Sequence, residues 1–497
     1  MKTNLATNAM ANVAQMLLSA LILFVLYRYI SQALGVDKLG VWSVVLATAS
    51  ASRLADLGLG VGVTRFVAKH LALNQPECAS TVIETALVTI AVALAGGLFA
   101  FYPVFQSVLS QIFQNTELEQ ALEILPYALL SLWLSMLGTI VQSGLDGCQK
   151  MVGRAAIGTV SQIFMLLSVF VWVPSEGLLG LAYAQILQAI FLFLMSWFYL
   201  RSILKDLSIL PFVWRLNIFK TMFSYGANVQ LASLSILLFE PLTKAFMAKF
   251  GGAEAAGWFE IANQVVLKVR ALLVAANQAI VPRVTQLNEQ NGEGFKKVYL
   301  ENIKTLVFFA IPLHAMLMAG AGVVSVLMLG GFNANFVGIL QIVICAWLVN
   351  VFTFPAYFIG LGVGRVGLNT IAHFVIGFVN MVLGFYLGEA FGVFGVVAAS
   401  AVALCVGSVV LIVIFQKKNN IALHGQALFE MRSIVAASFV LMAFGFVFPI
   451  VGLSTLFDGV ILFINLVMLA MILGLMWSNA FRKSLLESVF AKGLNEK

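Results

Sequence analysis

Two arginines lie at a depth where an apolar, membrane-length segment rarely holds a charge. Arg53 follows Gly40 at i+13, and Arg270 follows Gly257 at the same spacing. At about 1.5 Å per helical residue, each guanidinium lies roughly 18 Å from the end of its predicted helix, too deep to reach water fully. A charge at mid-span costs about 2.5–3.5 kcal/mol on insertion scales. We therefore expect a ligand that offsets the charge, such as a diphosphate bound bidentately between the two guanidiniums.

The surroundings of the two arginines in the sequence differ, and Arg53 also has a purely structural interpretation. Asp56 lies three residues after Arg53 on the same helix face, and an ion pair there would only lock the helix. Arg270 has no acidic residue three or four positions away, which favours a ligand-binding role. Lys268 is two residues before Arg270 and faces another direction, so a cavity role and a surface role both stay open for it.

Arg28 and Lys244 correspond to each other at a sequence offset of 216, near the predicted outer ends of their helices. Long basic side chains at such positions commonly extend to the membrane interface. The alternative is that both receive a ligand headgroup on the outer side. Asn228, near an inner helix end, is a candidate for contact with a polar ligand, although polar packing between helices explains it equally well.

Three carboxylates are candidates for coupling transport to a proton or sodium ion. Glu240 stands beside Pro241, and Glu260 lies in the outer third of the next span. Asp56 belongs to the same set through its mid-span position. For Glu240 and Glu260 the alternative is a simple ion pair with Lys244.

The elements that carry these residues must be membrane helices. Hydrophobic residues make up 61% of the 497 positions and charged residues only 10%, with a mean hydropathy of +1.01. A soluble domain carries roughly a quarter charged residues. A hydrocarbon core about 30 Å thick needs roughly 20 apolar residues per helix. On that basis the sequence predicts an all-α polytopic membrane protein with about 14 spans: 8–33, 40–66, 80–109, 121–145, 155–174, 177–200, 218–242, 256–282, 299–323, 335–362, 366–388, 392–415, 431–452 and 456–478.

The loop charges predict the orientation of these spans. With the N-terminus inside, 21 of the 28 lysines and arginines fall on the inner side and only 3 on the outer side. Basic residues concentrate in cytoplasmic loops. We therefore expect a multi-pass membrane protein with both termini in the cytoplasm.

The chain repeats itself at a nearly constant offset. The segment Gly35–Gly40 matches Gly252–Gly257 at an offset of 217, which also brings Arg53 onto Arg270, and Gly177–Gly180 matches Gly392–Gly395 at 215. Six spans per repeat is an even number, so both repeats have the same orientation and their pseudo-twofold axis runs along the membrane normal. We expect two parallel six-helix lobes, 1–215 and 216–418, with helices 13 and 14 and the cytoplasmic tail in 419–497.

Other classes of function lack support in the sequence. The four cysteines are scattered singly without metal-ligand spacing, so neither a disulfide framework nor a metal site is expected. There is no paired-carboxylate signature, phosphate loop or nucleophile triad, so we expect no enzyme activity and no cofactor. The formal charge of +7 is explained by the inner loops and does not indicate a nucleic-acid partner.

Two matching stretches carry a family resemblance. The first runs from Leu39 through Asp56 to Arg65, and its counterpart runs from Gly257 to Asn263, with Pro282 ending that helix. With two six-helix lobes and an extra helix pair, the chain resembles the Wzx-type polysaccharide transporters of the multidrug/oligosaccharidyl-lipid/polysaccharide (MOP) superfamily. The resemblance implies a flippase of the bacterial inner membrane that moves undecaprenyl-diphosphate-linked oligosaccharide, such as an O-antigen or another surface polysaccharide repeat unit, from the inner to the outer leaflet. It makes Asn228 a candidate for lining the path of the sugar. It implies membrane lipid and polysaccharide polymerase or assembly proteins as further partners.

Two related transporters are the alternatives. A multidrug or cation antiporter of the same superfamily would hold mainly acidic residues in its cavity, whereas the central pair here is arginine. A MurJ-like lipid II flippase shares the extra helix pair, but the dense arginine pattern expected near its N-terminus is missing.

Overall fold

The computed structural model describes residues 5–50, 58–224, 238–278, 280–281, 284, 294–363, 367–421, 429–449, 456–479 and 481–482. Over these residues the chain is helical, with short connections. The helices of the first half are α1 (Leu5–Ala33), α2 (Val36–Ser50), α3 (Leu59–Ala72), α4 (Pro76–Ile112), α5 (Asn115–Gly147), α6 (Met151–Glu176), α7 (Leu178–Ile203) and α8 (216–224).

The second half continues in the same manner. Its helices are α9 (Glu240–Gln278), α10 (Gly294–Ala319), α11 (Ala321–Leu329), α12 (Ala334–Val351), α13 (Phe354–Gly362), α14 (Gly367–Lys418), α15 (Arg432–Val447) and α16 (Leu456–Ser478). In the part of the chain that the structure describes, nine helices are long and apolar enough to cross a membrane. The predicted fold class, an all-α polytopic membrane protein, is confirmed.

Some predicted spans do not coincide with single helices. Two of them are joined in one long helix, and another is divided between two helices. Helix α14 has 52 residues, which at about 1.5 Å each would be more than twice the roughly 30 Å of a hydrocarbon core. Gly392 interrupts it with φ 60° and ψ −141°, so it holds the two spans predicted as 366–388 and 392–415. The span predicted as 335–362 is divided between α12 and α13. Most of the span predicted as 218–242 lies outside the described residues.

The internal repeat is visible in backbone geometry. Gly177 and Gly392, which the repeat matches to each other, both have positive φ, at 58° and 60°. Three residues further on, Gly180 lies against the Trp172 carbonyl oxygen, and Gly395 lies against the Leu387 carbonyl oxygen in the same way. A Cβ at Gly180 or Gly395 would overlap that oxygen, which explains why both repeats keep glycine there.

By packing, the chain divides into a first unit, Met1–Ile261 with Ile376–Ala399, and a second unit, Ala262–Val375 with Ser400–Lys497. In the first unit α5 packs against α2, α3, α4 and α7, and α6 packs against α1 and α7. In the second unit α10 packs against α12, α13, α15 and α16. This division by packing differs from the division by repeat, and the lobe boundaries at 215 and 418 stay predictions.

Candidate functional site

Arg270 is held in the second unit by aromatic faces. It lies on α9 and is partly buried. Its guanidinium carbon is 4.8 Å from the centroid of the Trp347 ring on α12 and 5.0 Å from that of Phe354 on α13. Both distances are within the range of a cation–π interaction. The two rings therefore fix the guanidinium without neutralising its charge.

A layer of buried amides and hydroxyls supports this arrangement. Arg270 Nη2 donates to Asn350 Oδ1 at 3.5 Å, a long hydrogen bond, and Asn350 Nδ2 donates to Ser408 Oγ at 3.1 Å. Trp347 Nε1 donates to Asn263 Oδ1 at 3.1 Å. Hydrogen bonds between helices thus position these side chains of α9 and α12, and the bond to Asn263 orients the Trp347 ring.

The charge balance around Arg270 favours an anion. Among the described residues, no carboxylate forms an ion pair with Arg270. Its Nε is buried without a hydrogen-bond acceptor. A partly buried cation without a counter-charge is costly, because burial removes part of its hydration and no carboxylate replaces it. The arrangement is chemically suited to accept oxygen atoms of a phosphate or diphosphate.

A second cluster of charges lies in the first unit. Lys244 Nζ is 2.9 Å from Glu240 Oε1 and 2.7 Å from Glu260 Oε2, and the Lys244 residue is 8% exposed. Glu260 Oε1 accepts from the Tyr27 hydroxyl at 2.7 Å, and Oε2 accepts from the Ser43 hydroxyl at 2.8 Å. The Glu260 carboxylate therefore joins α1, α2 and both parts of α9 in one hydrogen-bonded group.

This cluster places Lys244, Glu240 and Glu260 as an ion-paired triad, the alternative that the sequence left open. The ammonium of Lys244 is buried between the two carboxylates. An ion-coupling role for the two glutamates and a substrate contact for Lys244 stay predictions.

Helices α2 and α9 meet backbone to backbone beside this cluster. The Gly40 Cα faces the Ala253 carbonyl oxygen, and the Gly257 Cα faces the Val36 carbonyl oxygen. Both pairs are related by the repeat offset of 217. Such a reciprocal contact is what a twofold relation between two repeats produces.

The remaining predicted site residues are Arg28, Lys268, Arg53, Asp56 and Asn228. Arg28 is partly buried on α1 and has interactions of its own, and its backbone carbonyl accepts from the Ser31 hydroxyl at 2.9 Å. Lys268 is partly buried on α9, two residues from Arg270. Arg53, Asp56 and Asn228 lie outside the described residues, so their predicted roles stay predictions.

The sequence reasoning missed the partners of Arg270. Trp347 and Asn350 are three residues apart on α12, and Asn263 and Arg270 are two helical turns apart on α9. Polar or amphipathic residues at such spacing within apolar spans were a usable signal. Which helix they would meet was not readable, because the paired residues are 80 or more positions apart.

Comparison with known proteins places the chain in a family. Residues 34–332 match the model of a family described as polysaccharide biosynthesis protein. Over 393 residues, 77% of this chain and 91% of the relative, the chain is 18% identical to a Shigella flexneri protein named "Putative O-antigen transporter".

Two solved structures have a similar fold. One is a lipid II flippase, MurJ, in an inward closed conformation, with a TM-score of 0.68 and 15% identity over 94% of this chain and 98% of that one. The other is a multidrug resistance MATE family transporter of the MOP superfamily in an inward-facing conformation, with a TM-score of 0.66 and 18% identity over 82% of this chain and 94% of that one.

The helical fold, with nine apolar helices of membrane-spanning length among the described residues, is that of a multi-pass membrane protein. The family match covers more than half of the sequence, and the chain belongs to the polysaccharide biosynthesis protein family. The resemblance predicted from the sequence is confirmed at this level: the family is one of polysaccharide biosynthesis, and the fold is similar to that of a MOP superfamily member.

Proposed function

We propose that this protein is a flippase that moves undecaprenyl-diphosphate-linked oligosaccharide from the inner to the outer leaflet of the bacterial inner membrane. The observation that carries the proposal is the Arg270 guanidinium, which lies over the faces of two aromatic rings with no carboxylate paired to it among the described residues. A lipid-linked diphosphate would supply the missing negative charge. The family match and the O-antigen transporter relative support a glycan headgroup.

The chemistry of binding follows from the guanidinium geometry. A diphosphate offers pairs of oxygens at the spacing of the guanidinium N–H groups, so it would accept two parallel hydrogen bonds. The Nε of Arg270, which has no acceptor, and Nη2, whose bond to Asn350 is long, are the donors available for it.

Arg53 would be the second contact in this proposal. It corresponds to Arg270 at the repeat offset of 217 and lies at the same predicted depth. The headgroup would then cross between the two lobes while the isoprenoid tail stays in lipid. A cation exporter fits less well, because an unpaired guanidinium would repel its substrate.

Surface glycan display in a strain lacking the native protein tests the proposal. Arg270→Ala should abolish display and leave lipid-linked oligosaccharide inside, while membrane expression stays normal. Arg270→Lys should restore part of it, since lysine keeps the charge but loses bidentate geometry. Arg432→Ala is the matched control, because Arg432 also lies 4.8 Å from an aromatic centroid, that of Phe429, but is exposed at the start of α15. Normal display from Arg270→Ala would overturn the proposal.

A binding measurement separates ligand recognition from assembly of the protein. Undecaprenyl diphosphate added to the purified protein should raise its unfolding temperature, and Arg270→Ala should remove that shift. An equal shift in both proteins would show that Arg270 does not bind the diphosphate.

A further inference from the structure

A cavity of about 370 Å³ lies in the second unit, and Arg270 does not line it. It is enclosed by the start of α10, by α13 and by both ends of α14. Most of its wall is apolar, with Phe295, Ile359 and Phe415 among the larger side chains. Both ends of α14 belong to the side that the loop charges predict to be cytoplasmic, so the cavity lies at the level of the inner leaflet.

The cavity wall has few polar groups, and the charged side chain among the described residues that line it is basic. Lys418 is exposed at the end of α14, and no acidic residue lines the cavity among the described residues. Gly367 and Asn369, in the first turn of α14, line it as well. The amino-terminal end of a helix carries a partial positive charge, which favours an anion there. Charge complementarity therefore selects a negative group.

Asn369 provides an independent sign of a ligand. The residue is 6% exposed, and its Nδ2 donates to the Tyr357 carbonyl oxygen at 3.2 Å, which fixes the amide. Its Oδ1 is buried and has no donor. A buried acceptor without a donor costs about 1–3 kcal/mol. A ligand N–H or O–H group that donates to this amide oxygen would remove that cost.

We propose that this cavity binds an anionic phospholipid of the inner leaflet whose headgroup carries a hydroxyl. The phosphodiester lies between Lys418 and the first turn of α14, the headgroup hydroxyl donates to Asn369 Oδ1, and an acyl chain follows the apolar wall. The inference does not depend on the transported substrate or on Arg270. It assigns the second unit a lipid that is bound and not carried.

Binding to the purified full-length protein in detergent, followed by native mass spectrometry, tests this site with phosphatidylglycerol as the probe. Lys418→Ala should weaken phosphatidylglycerol binding about tenfold or more through loss of a charge-assisted contact. Lys417→Ala is the matched control, since Lys417 is also exposed at the end of α14 but does not line the cavity. Equal binding by these two variants, or equal binding of phosphatidylglycerol and phosphatidylcholine to the native protein, would overturn the proposal.

Gly367→Leu puts a larger side chain at the wall of the cavity. An ideal Cβ at Gly367 meets no atom within 4 Å, so the substitution causes no clash there. The variant should unfold at the native temperature without lipid and lose selective retention of phosphatidylglycerol. Native-like retention in this variant would show that the lipid binds elsewhere.

Two further arms test the headgroup chemistry. Phosphatidylethanol, an anionic diester without a headgroup hydroxyl, should bind more weakly than phosphatidylglycerol, and Asn369→Ala should abolish that difference between the two lipids. Because both lipids are compared on one variant, a general loss of stability does not alter the result. Displacement of phosphatidylglycerol by soluble glycerol phosphate at equal concentration would show an anion site and contradict a lipid site.

Discussion

At the scale of single residues, Arg270 shows how a charge is held inside an apolar helix bundle without being neutralised. Its contacts are two ring faces and one amide oxygen at 3.5 Å. A cation–π contact is worth roughly 0.5–2 kcal/mol, which orients the guanidinium but does not repay the desolvation of a full charge. Glu260 illustrates the opposite case, since its carboxylate accepts from an ammonium and two hydroxyls. The first group retains capacity for a ligand, and the second does not.

The thiol of Cys148 gives a prediction that depends on pH. Cys148 follows α5 in a loop predicted to be cytoplasmic, and burial raises its pKa from 9.0 to about 11, against the lowering effect of Lys150. Only the thiolate reacts with maleimide. A raised pKa keeps the thiol protonated, so the labelling rate at pH 7 should be roughly a hundredfold below that of an ordinary cysteine. In a variant with Cys78, Cys345 and Cys405 replaced by serine, the rate should rise about tenfold per pH unit up to pH 10.

The same protein denatured in detergent is the control for this measurement. Its labelling rate should level off near pH 9, the ordinary pKa of the thiol. Levelling near pH 9 in the folded protein would contradict the burial of this thiol.

At the scale of helices, α2 and α9 are joined by two devices that act at adjacent positions. Gly40 and Gly257 allow the backbones to touch, and Glu260, three residues after Gly257, forms hydrogen bonds to Ser43, three residues after Gly40. Lys244, on the part of α9 before Gly252, forms an ion pair with the same Glu260 carboxylate. A change to either device should therefore weaken the same contact.

Substitution of the contact glycines tests the first device. A methyl group on Gly40 would overlap the Ala253 carbonyl oxygen, and one on Gly257 would overlap the Val36 carbonyl oxygen. Gly40→Ala and Gly257→Ala should each lower the free energy of unfolding by about 1–3 kcal/mol. The double variant should lose less than the sum, because one separation of the helices relieves both overlaps.

Thermal unfolding of the purified protein measures these effects. Gly96→Ala on α4 is the control, because no atom lies within 4 Å of its ideal Cβ position, and it should unfold at the native temperature. Native-like stability of Gly40→Ala would contradict the close approach of α2 and α9.

Charge removal tests the second device. Glu260→Gln leaves Lys244 with Glu240 alone, and Lys244→Met leaves two carboxylates facing each other. Breaking a buried ion pair from one side costs about 3–5 kcal/mol, whereas removing both partners costs less than the sum. The unfolding temperatures of the two single variants and the double variant should show this non-additivity.

An exposed pair provides the matched control for the charge variants. Lys297 and Glu301 are 4.0 Å apart, with side chains 81% and 49% exposed. Lys297→Met should cost less than about 1 kcal/mol, because water already solvates both charges. Equal losses in Lys297→Met and Lys244→Met would contradict the burial of the triad.

The helices show which features were readable from the sequence. Apolar runs predicted the spans well, and α16 has the bounds predicted for the last one, 456–478. The paired glycines also carried information, because a left-handed backbone at Gly177 and Gly392 requires that residue type. By contrast, the bonds from Arg270 to Asn350 and from Trp347 to Asn263 join helices far apart in sequence. Such pairs depend on helix rotation and register, which one sequence does not specify.

At the scale of the whole molecule, the repeat and the charge distribution together define where a substrate path would run. The contact of α2 with α9 involves residues matched by the repeat, and the two mid-span arginines follow its glycines at equal spacing. The loop charges predict that these helix starts lie on the outer side and the carboxyl ends toward the cytoplasm. From the sequence we therefore expect Arg53 and Arg270 at equal depth in the membrane.

Equal depth leads to a prediction about how the two arginines combine. If both bind one diphosphate, Arg53→Ala and Arg270→Ala should each abolish or strongly reduce surface glycan, and the double variant should be no worse than the more severe single variant. The reason is that each guanidinium supports the same anion, so loss of the first contact removes most of the value of the second. Arg53→Lys and Arg270→Lys should each keep part of the display, since the charge remains. Surface display is compared at matched membrane expression, with Arg432→Ala as the control. Normal display from the double variant would exclude the shared site, and single effects that multiply in the double variant would show that the arginines act in separate steps.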